Sequence, residues 1–467
     1  MPVNSFETYP MSWRPSRRDI EGRLQPFYKA LAAQLIEDIE RGRILPGTKL
    51  PPQRELANFL DIHFTTVTRA YKICELKGLI YAVTGSGTFV SASEANEVTL
   101  AANLGSAPLI DLGFVSSFES CNELLTATAK KALAQQNFSS LATYDFPTGL
   151  PRHKDMGLRW LESLGVHTDA NHMAIVSGTQ NGLALALLAL FSPGDRIAVD
   201  TYAYANFIEL AKMYRLRLVP IRGDAEGMSP EALEFQCRQN PIRGLFLVPS
   251  CNNPTTVTMT DRRKKALARI IRDHGLILIE DDIMAFLTAG LLPDYQGPLY
   301  RLVPDQTVYL CGTSKSICSG LRVTYMVFGE PFRENLLKAL YNINVKTSSV
   351  DAEIISAVIA SGKAREIVEK KRLLAKKRQA LFDRYFPNGG NCGHPYSFFR
   401  WLPIADTRRG AEIEQELLTH GIRVYHSDRF LSGHHEDARY LRIALSTVDT
   451  EETLSRGLEI LRQYAQV

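Results

Sequence analysis

The sequence predicts an α/β protein with two parts, a small helical part at the N-terminus and a larger part built on a mostly parallel sheet. Residues 25–93 contain short helical patterns that end in a hairpin pattern. Residues 110–467 alternate helix-length stretches with short apolar runs, which is typical of βαβ units. The apolar runs that we expect to form buried strands lie at 197–199, 244–248, 276–279, 307–311 and 325–328.

Composition excludes several classes of protein. Of the 467 residues, 45% are hydrophobic and 22% are charged, which excludes a disordered or collagen-like chain. No apolar run approaches the roughly 18 residues of a membrane helix, and the first residues lack the pattern of a secretory signal. Seven cysteines without a C-x-x-C pair argue against a disulfide framework and a zinc ribbon. We therefore expect a cytoplasmic protein with reduced thiols and no metal site.

Charge and composition also divide the chain. Residues 1–93, which include a polar N-terminal tail, hold 12 Lys and Arg against 9 Asp and Glu, whereas the remaining residues hold 42 against 41. This small excess at the N-terminus hints at an anionic partner. Residues 94–109 are small and polar without a clear period, so they predict a linker to a domain spanning 110–467.

The N-terminal part predicts a winged helix-turn-helix. A helix over 27–44 precedes a short helix that begins near the two prolines at 51 and 52, a position that suits proline. Thr65 or a neighbour is expected to cap the third helix, whose inward stripe is Val67, Ala70, Tyr71 and Cys74. Its polar and basic outer face fits a recognition helix. Two strands at 79–83 and 88–90 flank a glycine-bearing turn and form the wing.

This part resembles the DNA-binding domain of the GntR family of bacterial regulators through the stretches GRILPGTKLPPQRELANFL, TTVTRAY and GLIYAVTGSGTFV. The resemblance implies contacts to double-stranded DNA from the second and third helices and from the wing, by Arg54, Thr65, Thr66, Thr68, Arg69, Gly85 and Gly87. The chain departs from the family where Ser-Arg usually begins the recognition helix, because it has His63-Phe64 there. A guanine-reading arginine is therefore missing. The alternative is a winged helix used only for protein contacts.

Two turns in the larger part offer sites for an anion and for a nucleophile. Residues 177–182 form a small-residue turn between an apolar run and a helical pattern, where free N–H groups attract anions, although such glycine turns are also common structural links. Lys315 lies in a second turn, at 312–316, where burial can lower the pKa of an amine and make it nucleophilic. Arg322 follows seven residues later and could clamp a phosphate. The alternative is an ordinary lysine at a strand end.

Two further features concern charged residues in strands. Three acids, Glu280, Asp281 and Asp282, end an apolar run, where a carboxylate can keep a ring nitrogen protonated. A metal site or a solvated loop is the alternative. Arg442 lies in an alternating strand near the C-terminus and is either a buried carboxylate receptor or a salt-bridged core arginine.

The order of these features, with Asn253-Pro254 between the first turn and the acids, resembles the fold type I aminotransferases. Together with the GntR-like part, the chain is similar to the MocR subfamily of GntR-family regulators. The resemblance implies a fold type I aminotransferase-like domain with a mostly parallel seven-stranded sheet and a small C-terminal α/β subdomain. It also implies pyridoxal 5′-phosphate as the cofactor and a head-to-tail homodimer.

The resemblance assigns residues to the cofactor and to an effector. Lys315 would form the Schiff base with pyridoxal phosphate, Asp281 would pair with the pyridine nitrogen, and Arg442 would bind an amino-acid carboxylate. The phosphate would be held by residues of the two turns, namely Ser177, Gly178, Thr179, Ser314 and Arg322. A stacking aromatic ring, an amide beside the ring hydroxyl and a residue that reaches the partner's site would be Tyr202, Asn253 and Tyr144.

Three positions depart from the pattern of catalytic relatives. Ile283 and Met284 stand where a tyrosine usually follows the aspartate, Gly312 replaces a phosphate-side serine, and Thr256 replaces a glycine after Asn-Pro-Thr. We expect cofactor binding to persist and transamination to be impaired.

The leading hypothesis is a DNA-binding transcriptional regulator that senses pyridoxal phosphate, or its adduct with an amine or amino acid, and binds promoters as a dimer. The alternatives are an active aminotransferase with a DNA-binding module and a cofactor-free effector or dimerisation module. Two basic clusters at 370–372 and 376–378 are interpreted as a solvated helix face, with a second DNA surface as the alternative. Residues 433–437 are interpreted as a polar loop.

Overall fold

The computed structural model describes Trp13, Leu100 and the ranges 26–40, 43–44, 48–76, 79–83, 87–90, 109–135, 138–289, 291–292, 295–387, 394–406, 408–433 and 438–464. The chain divides into an N-terminal unit, residues 1–97 with 433–437, and a C-terminal unit, residues 98–432 with 438–467. Most of the expected linker at 94–109 lies outside the described residues. Within them, no helix combines the length and the apolar character needed to cross a membrane.

The described residues of the N-terminal unit form three helices and a small antiparallel sheet. The helices are α1 (Phe27–Glu40), α2 (Gln53–Leu60) and α3 (Phe64–Leu76). The strands are β1 (Lys49–Leu50), β2 (Ile80–Val83) and β3 (Gly87–Val90), paired in the order β1–β3–β2. The predicted winged helix-turn-helix is confirmed, with α2 and α3 as its helices and β2 and β3 as its wing.

The inward stripe of α3 packs as the sequence predicts, since all four of its side chains are buried: Val67, Ala70, Tyr71 and Cys74. The first helix ends at Glu40 rather than at residue 44. His63 is the neighbour that caps α3, because its Nδ1 accepts from the backbone N–H of Thr65 at 3.4 Å. The turn of the wing, including Gly85, lies outside the described residues.

The C-terminal unit alternates strands and helices. Its helices are α4 (Glu123–Gln135), α5 (Phe138–Leu141), α6 (Pro151–Glu162), α7 (Thr179–Leu190), α8 (Ala205–Met213), α9 (Pro230–Gln239), α10 (Asp261–His274), α11 (Thr313–Ser316), α12 (Arg333–Ile343), α13 (Ser349–Ala360), α14 (Lys363–Tyr385), α15 (Gly410–Thr419) and α16 (Glu451–Leu461). Its strands are β4 (Ile110–Asp111), β5 (Met173–Val176), β6 (Arg196–Asp200), β7 (Arg217–Ile221), β8 (Gly223–Asp224), β9 (Gly227–Met228), β10 (Ile242–Leu247), β11 (Ile277–Asp281), β12 (Thr307–Gly312), β13 (Thr324–Phe328), β14 (Phe399–Ile404), β15 (Ile422–Arg423), β16 (Tyr425–His426) and β17 (Arg439–Ala444).

Seven strands form the central sheet in the order β5–β13–β12–β11–β10–β6–β7. Only β13 runs antiparallel to its neighbours in this sheet, so the predicted mostly parallel sheet is confirmed. The five expected strands are present as β6, β10, β11, β12 and β13. Strand β7 was not expected, because it is a half-exposed edge strand with Pro220 inside it and lacks a continuous apolar run.

A second, antiparallel sheet in the order β14–β17–β16 forms the small C-terminal subdomain. This sheet shares an apolar core with α14, α15 and α16, through side chains such as Phe382, Leu402, Leu417, Leu441 and Leu454. Because β17 carries Arg442, the subdomain brings a cation from the C-terminal end of the chain to the central sheet.

Candidate functional site

The predicted site residues meet at one edge of the central sheet. Strands β5, β6, β11 and β12 run in the same direction, because β13 reverses between β5 and β12. Their carboxyl ends therefore lie at the same edge, which is where ligands bind in open α/β sheets. The turn before α7, Asp281 at the end of β11 and the α11 turn after β12 all occupy this edge.

Lys315 lies in α11, a single helical turn that directly follows β12. Its Nζ donates to the backbone carbonyl of Val115 and lies 5.4 Å from the centre of the Phe114 ring. Burial lowers the pKa of Lys315 to about 7, and the nearby Arg442 and Lys371 cations act in the same direction. Near neutral pH a large share of this amine is therefore unprotonated and nucleophilic.

A second lysine, which the sequence did not indicate, holds the turn that carries Lys315. Lys371 of α14 is fully buried, and its Nζ donates to Ser117 Oγ at 2.6 Å and to the carbonyls of Lys315 and Ile317 at 3.0 and 2.9 Å. These bonds use all three donors of the ammonium group. Burial lowers the pKa of Lys371 to about 8. Helix α14 is thus tied to the backbone at the candidate nucleophile.

The basic clusters of α14 are not simply a solvated face. Lys371 and Arg378 are buried, and Arg372 donates to the carbonyl of Phe286. Arg378 donates to the carbonyls of Thr450 and Asp449 at 3.0 and 2.9 Å. The expectation of a solvated face was wrong for these three residues, because their long side chains bind backbone carbonyls of neighbouring segments.

The three acids that end β11 are all buried, which excludes the solvated-loop alternative. Glu280 accepts the backbone N–H groups of Leu299 and Tyr300 at 2.7 Å each, so its role is structural. Asp281 differs, because its Oδ1 has no hydrogen-bond partner among the described residues. Burial, together with the charge of Asp282, raises the pKa of Asp281 to about 7. This carboxyl group is suited to a cationic or N–H partner that the protein itself does not supply.

Arg322, Ser314 and Gly178 come together at the N-terminus of α7, and we call this group the anion cradle. Arg322 donates to Ser314 Oγ at 2.8 Å. A side chain at Gly178 is excluded, because its Cβ would lie 2.2 Å from a guanidinium nitrogen of Arg322 and its φ is +87°. No side chain caps α7, which begins directly after Gly178. A guanidinium, a hydroxyl and a helix N-terminus thus converge on one point, as anion sites require.

The hydroxyls of Ser177 and Thr179, the other two predicted phosphate ligands, are already engaged. Ser177 Oγ accepts from Asn344 at 2.8 Å, and Thr179 Oγ1 lies 3.3 Å from Thr324 Oγ1. Their side chains stabilise the turn, and the backbone N–H of Ser177 also donates to Asn181 Oδ1 at 3.1 Å. The backbone N–H of Thr179, at the start of α7, is the group of this pair suited to reach an anion.

Two of the three departures from the catalytic pattern are neighbours, and we call Ile283, Met284 and Gly312 the apolar end of the site. A Cβ at Gly312 would lie 2.4 Å from Thr179 Oγ1 and 3.1 Å from Ile283 Cγ1. Thr179 therefore blocks a side chain at position 312 most strongly, and Ile283 crowds the same space.

Arg442 is a buried cation that bonds to neutral acceptors. It is 1% exposed and donates to Asn253 Oδ1 at 3.0 Å and to the carbonyl of Gly113. Its guanidinium lies between the rings of Phe430 and Tyr425, with its carbon 4.9 and 5.5 Å from their centres. Burial lowers the pKa of Arg442 to about 10. Within the described residues no carboxylate pairs with it, so the salt-bridged alternative is wrong and a carboxylate ligand fits.

Two predicted aromatic residues have contacts or exposure of a different kind. The ring of Tyr202 packs against Trp401 and Tyr440 of the subdomain, and its hydroxyl donates to the carbonyl of Ala438 at 3.0 Å. Tyr144 is 80% exposed, so it is not part of this chain's own buried cluster.

Tyr204 is a further aromatic residue, directly before α8, that the sequence reasoning did not single out. Burial and the charge of Asp281 raise its pKa to about 12, while Arg442 and Arg322 lower it. The phenol therefore lies within electrostatic reach of all three charged side chains. The sequence signal that could have indicated it is its position between β6 and α8, in the segment that leaves the carboxyl end of a central strand.

In the N-terminal unit, the predicted DNA contacts lie mainly on one exposed surface. The side chains of Arg54, Thr65, Thr68 and Arg69 are exposed, and Thr66 is half-buried. Gly87 is exposed at the start of β3.

Comparison with known proteins identifies both units. Residues 115–461 match the family of class I and II aminotransferases, and residues 27–90 match the gntR family of bacterial regulatory proteins. The HTH-type transcriptional regulator YdeF of Bacillus subtilis is 36% identical over 99% of both chains. The chain belongs to the MocR-type regulators of the GntR family. As a MocR-type regulator, it is a DNA-binding transcriptional regulator fused to an aminotransferase-like domain.

Other similar proteins agree with this architecture. The HTH-type transcriptional regulator YjiR of Escherichia coli is 27% identical, over 91% of this MocR-type chain and 96% of that protein. Among solved structures, a kynurenine aminotransferase of Pyrococcus horikoshii has a TM-score of 0.69 at 19% identity, covering 77% of this chain and 91% of that one. The α-aminoadipate aminotransferase LysN of Thermus thermophilus has a TM-score of 0.67 at 19% identity. The match covers 76% of this chain and 92% of that one. These two structures support the fold.

Proposed function

We propose that this regulator binds pyridoxal 5′-phosphate covalently through Lys315, binds promoter DNA as a homodimer, and changes its DNA binding when an amine or amino acid reaches the cofactor. Similar solved structures contain such groups: the Pyrococcus enzyme is a complex with PMP, and LysN is a complex with N-(5′-phosphopyridoxyl)-L-leucine. The observation that carries the proposal is that the anion cradle, the unpartnered Asp281 oxygen and the Lys315 amine share one sheet edge.

The residues present fit three chemical groups of the cofactor: its phosphate, its pyridine nitrogen and its aldehyde. Arg322 and Ser314 would hold the phosphate at the start of α7, and Asp281 would hold a proton on the pyridine nitrogen. Lys315 offers an amine whose lowered pKa suits reaction with an aldehyde. When bound, pyridoxal phosphate supplies that aldehyde and an electron-withdrawing ring. Tyr202, which follows β6 at the same edge of the sheet, would lie against the ring.

Arg442 supports an amino-acid effector. Its cation is held without a carboxylate partner between two aromatic rings, and Asn253 fixes one of its nitrogens. A carboxylate on the effector would form an ion pair with the Arg442 guanidinium. Because β17 links Arg442 to the small subdomain, effector binding would favour one arrangement of that subdomain over another and shift the population between the two.

The cofactor part is tested on full-length protein. Protein incubated with pyridoxal phosphate and reduced with borohydride should carry a phosphopyridoxyl group on Lys315, located by peptide mass spectrometry. Lys315→Ala should lose this group and the visible absorbance band. Lys370→Ala, which removes an exposed lysine of α14, should keep both. Labelling of the Lys315→Ala variant at the wild-type level would overturn the assignment.

The regulatory part is tested by a gel shift with the DNA upstream of the chain's own gene. The protein should bind this DNA, and its affinity should change when pyridoxal phosphate and candidate amino acids are added together. Equal affinity with and without the cofactor, in protein shown to carry it, would contradict a sensing role and leave DNA binding intact.

A further inference from the structure

An exposed aromatic side chain begins the recognition helix. Phe64 is the first residue of α3 and is 45% exposed. Its ring contacts the ring of His63, with 4.8 Å between centres. A single exposed apolar side chain is common on protein surfaces, so the exposure of Phe64 alone indicates no function. Its position at the start of the recognition helix is what points to a contact outside this unit.

Phe64 begins the face of α3 that points to solvent. Thr68, four residues later, is exposed on the same side of the helix, and Arg69 beside it in the sequence is exposed as well. The N-terminal residues of a recognition helix are the ones that meet base edges in the major groove. Arg54 and Arg69 add exposed positive charge beside this turn, which complements phosphate.

Two of the hydroxyl groups near Phe64, those of Thr65 and Thr68, are engaged within the protein. Thr68 donates to Gln53 Oε1 at 2.6 Å, and Thr65 Oγ1 lies 2.8 Å from His63 Nδ1. The arginine that other GntR regulators usually carry at position 64 is absent. The first residue of α3 therefore offers a base edge an apolar group rather than the hydrogen-bond donors of an arginine.

We propose that Phe64 contacts the C5-methyl group of a thymine in the major groove and makes thymine the preferred base where an arginine would read guanine. The thymine methyl is the apolar feature of the major groove, and phenylalanine is among the side chains that contact it. This proposal rests on the DNA binding of the winged helix and adds the identity of one base to it.

The test uses DNA that the full-length protein selects from a random-sequence duplex library. Each thymine of the selected duplex is then replaced in turn by deoxyuridine, which lacks only the methyl group. One replacement should weaken binding about fourfold, since removing one buried methyl costs roughly that factor. In Phe64→Ala the same replacement should have no effect, so the methyl and the ring show an energetic coupling.

Two further variants make the result specific. Thr65→Ala should keep the deoxyuridine effect, because its hydroxyl is not the apolar contact. Phe64→Arg should select duplexes with guanine at the thymine position. The inference is overturned if Phe64→Ala retains the full deoxyuridine effect, or if no thymine methyl matters to the wild type. Failure of the wild type to enrich any sequence would instead count against sequence-specific DNA binding itself.

Discussion

The two ends of the Lys315 site differ in what they keep of an aminotransferase centre. The anion cradle has a guanidinium, a hydroxyl and a helix N-terminus that converge on one point. The apolar end has an isoleucine and a methionine where a phenol is usual, and a glycine that Ile283 crowds. The two groups are neighbours, since Thr179 of α7 bounds the space at Gly312. The difference indicates that the proposed binding of a phosphorylated cofactor and the tuning of its proton chemistry are separable, because different side chains would provide them.

The largest effect is expected at the anion cradle. Arg322→Ala should weaken the binding of pyridoxal phosphate about 30-fold, since a hydrogen bond to a charged group contributes roughly 1.5–3 kcal/mol. Titration of full-length apoprotein measures this affinity.

Pyridoxal, which lacks the phosphate, is the matched control ligand. Its affinity should be the same in Arg322→Ala and in the wild type. An equal loss for both ligands would mean that Arg322 stabilises the fold of the site instead of binding the phosphate.

The second largest effect is expected at Asp281, and it appears in how the stability of the apoprotein depends on pH. Its pKa is raised from 3.8 to about 7 in the folded chain. This group therefore stabilises the folded apoprotein fully below about pH 4, and the contribution is lost as the pH rises through 7. Asp281→Asn should raise the unfolding free energy of apoprotein by about 2 kcal/mol above pH 7 and change little below pH 4. Denaturant unfolding at several pH values measures it.

Asp155→Asn serves as the control for this prediction, because it removes an exposed carboxylate from the same unit. Its unfolding free energy should follow the wild type at every pH. With pyridoxal phosphate present, Asp281→Asn should instead have a lower unfolding free energy than the wild type, since the variant loses the charge that holds the ring nitrogen. A variant that is less stable than the wild type at pH 8 without cofactor would contradict the buried-charge argument.

Sequence alone predicted the parts of this molecule that follow regular patterns. Buried strands of the central sheet read as apolar runs, and the inward stripe of α3 follows helical spacing. The edge strand β7, in contrast, has the exposure of a surface segment and gave no such run.

Within the site, turns with small residues revealed Lys315 and Arg322. Tyr204 and Lys371 were missed because their roles depend on which distant segments the fold brings together. Lys371, for example, looks like a surface residue in a basic run, yet it binds a carbonyl 56 residues away in the sequence. No local pattern encodes such a contact.

The smallest expected effect concerns the apolar end. It decides whether the missing phenol limits the rate of amino-group transfer. Ile283→Tyr should raise the rate of amino-group transfer about tenfold, less than the roughly 100-fold of an evolved proton-transfer group, because no neighbouring side chain is arranged to hold the new hydroxyl. Ile283→Phe supplies the same ring without the hydroxyl and should leave the rate at the wild-type level. Single-turnover absorbance with saturating amino acid measures the rate in all three proteins. If the two variants change the rate equally, the ring volume beside Gly312 and not the phenol controls the chemistry, and the proposed separation of binding from proton transfer would lose its basis.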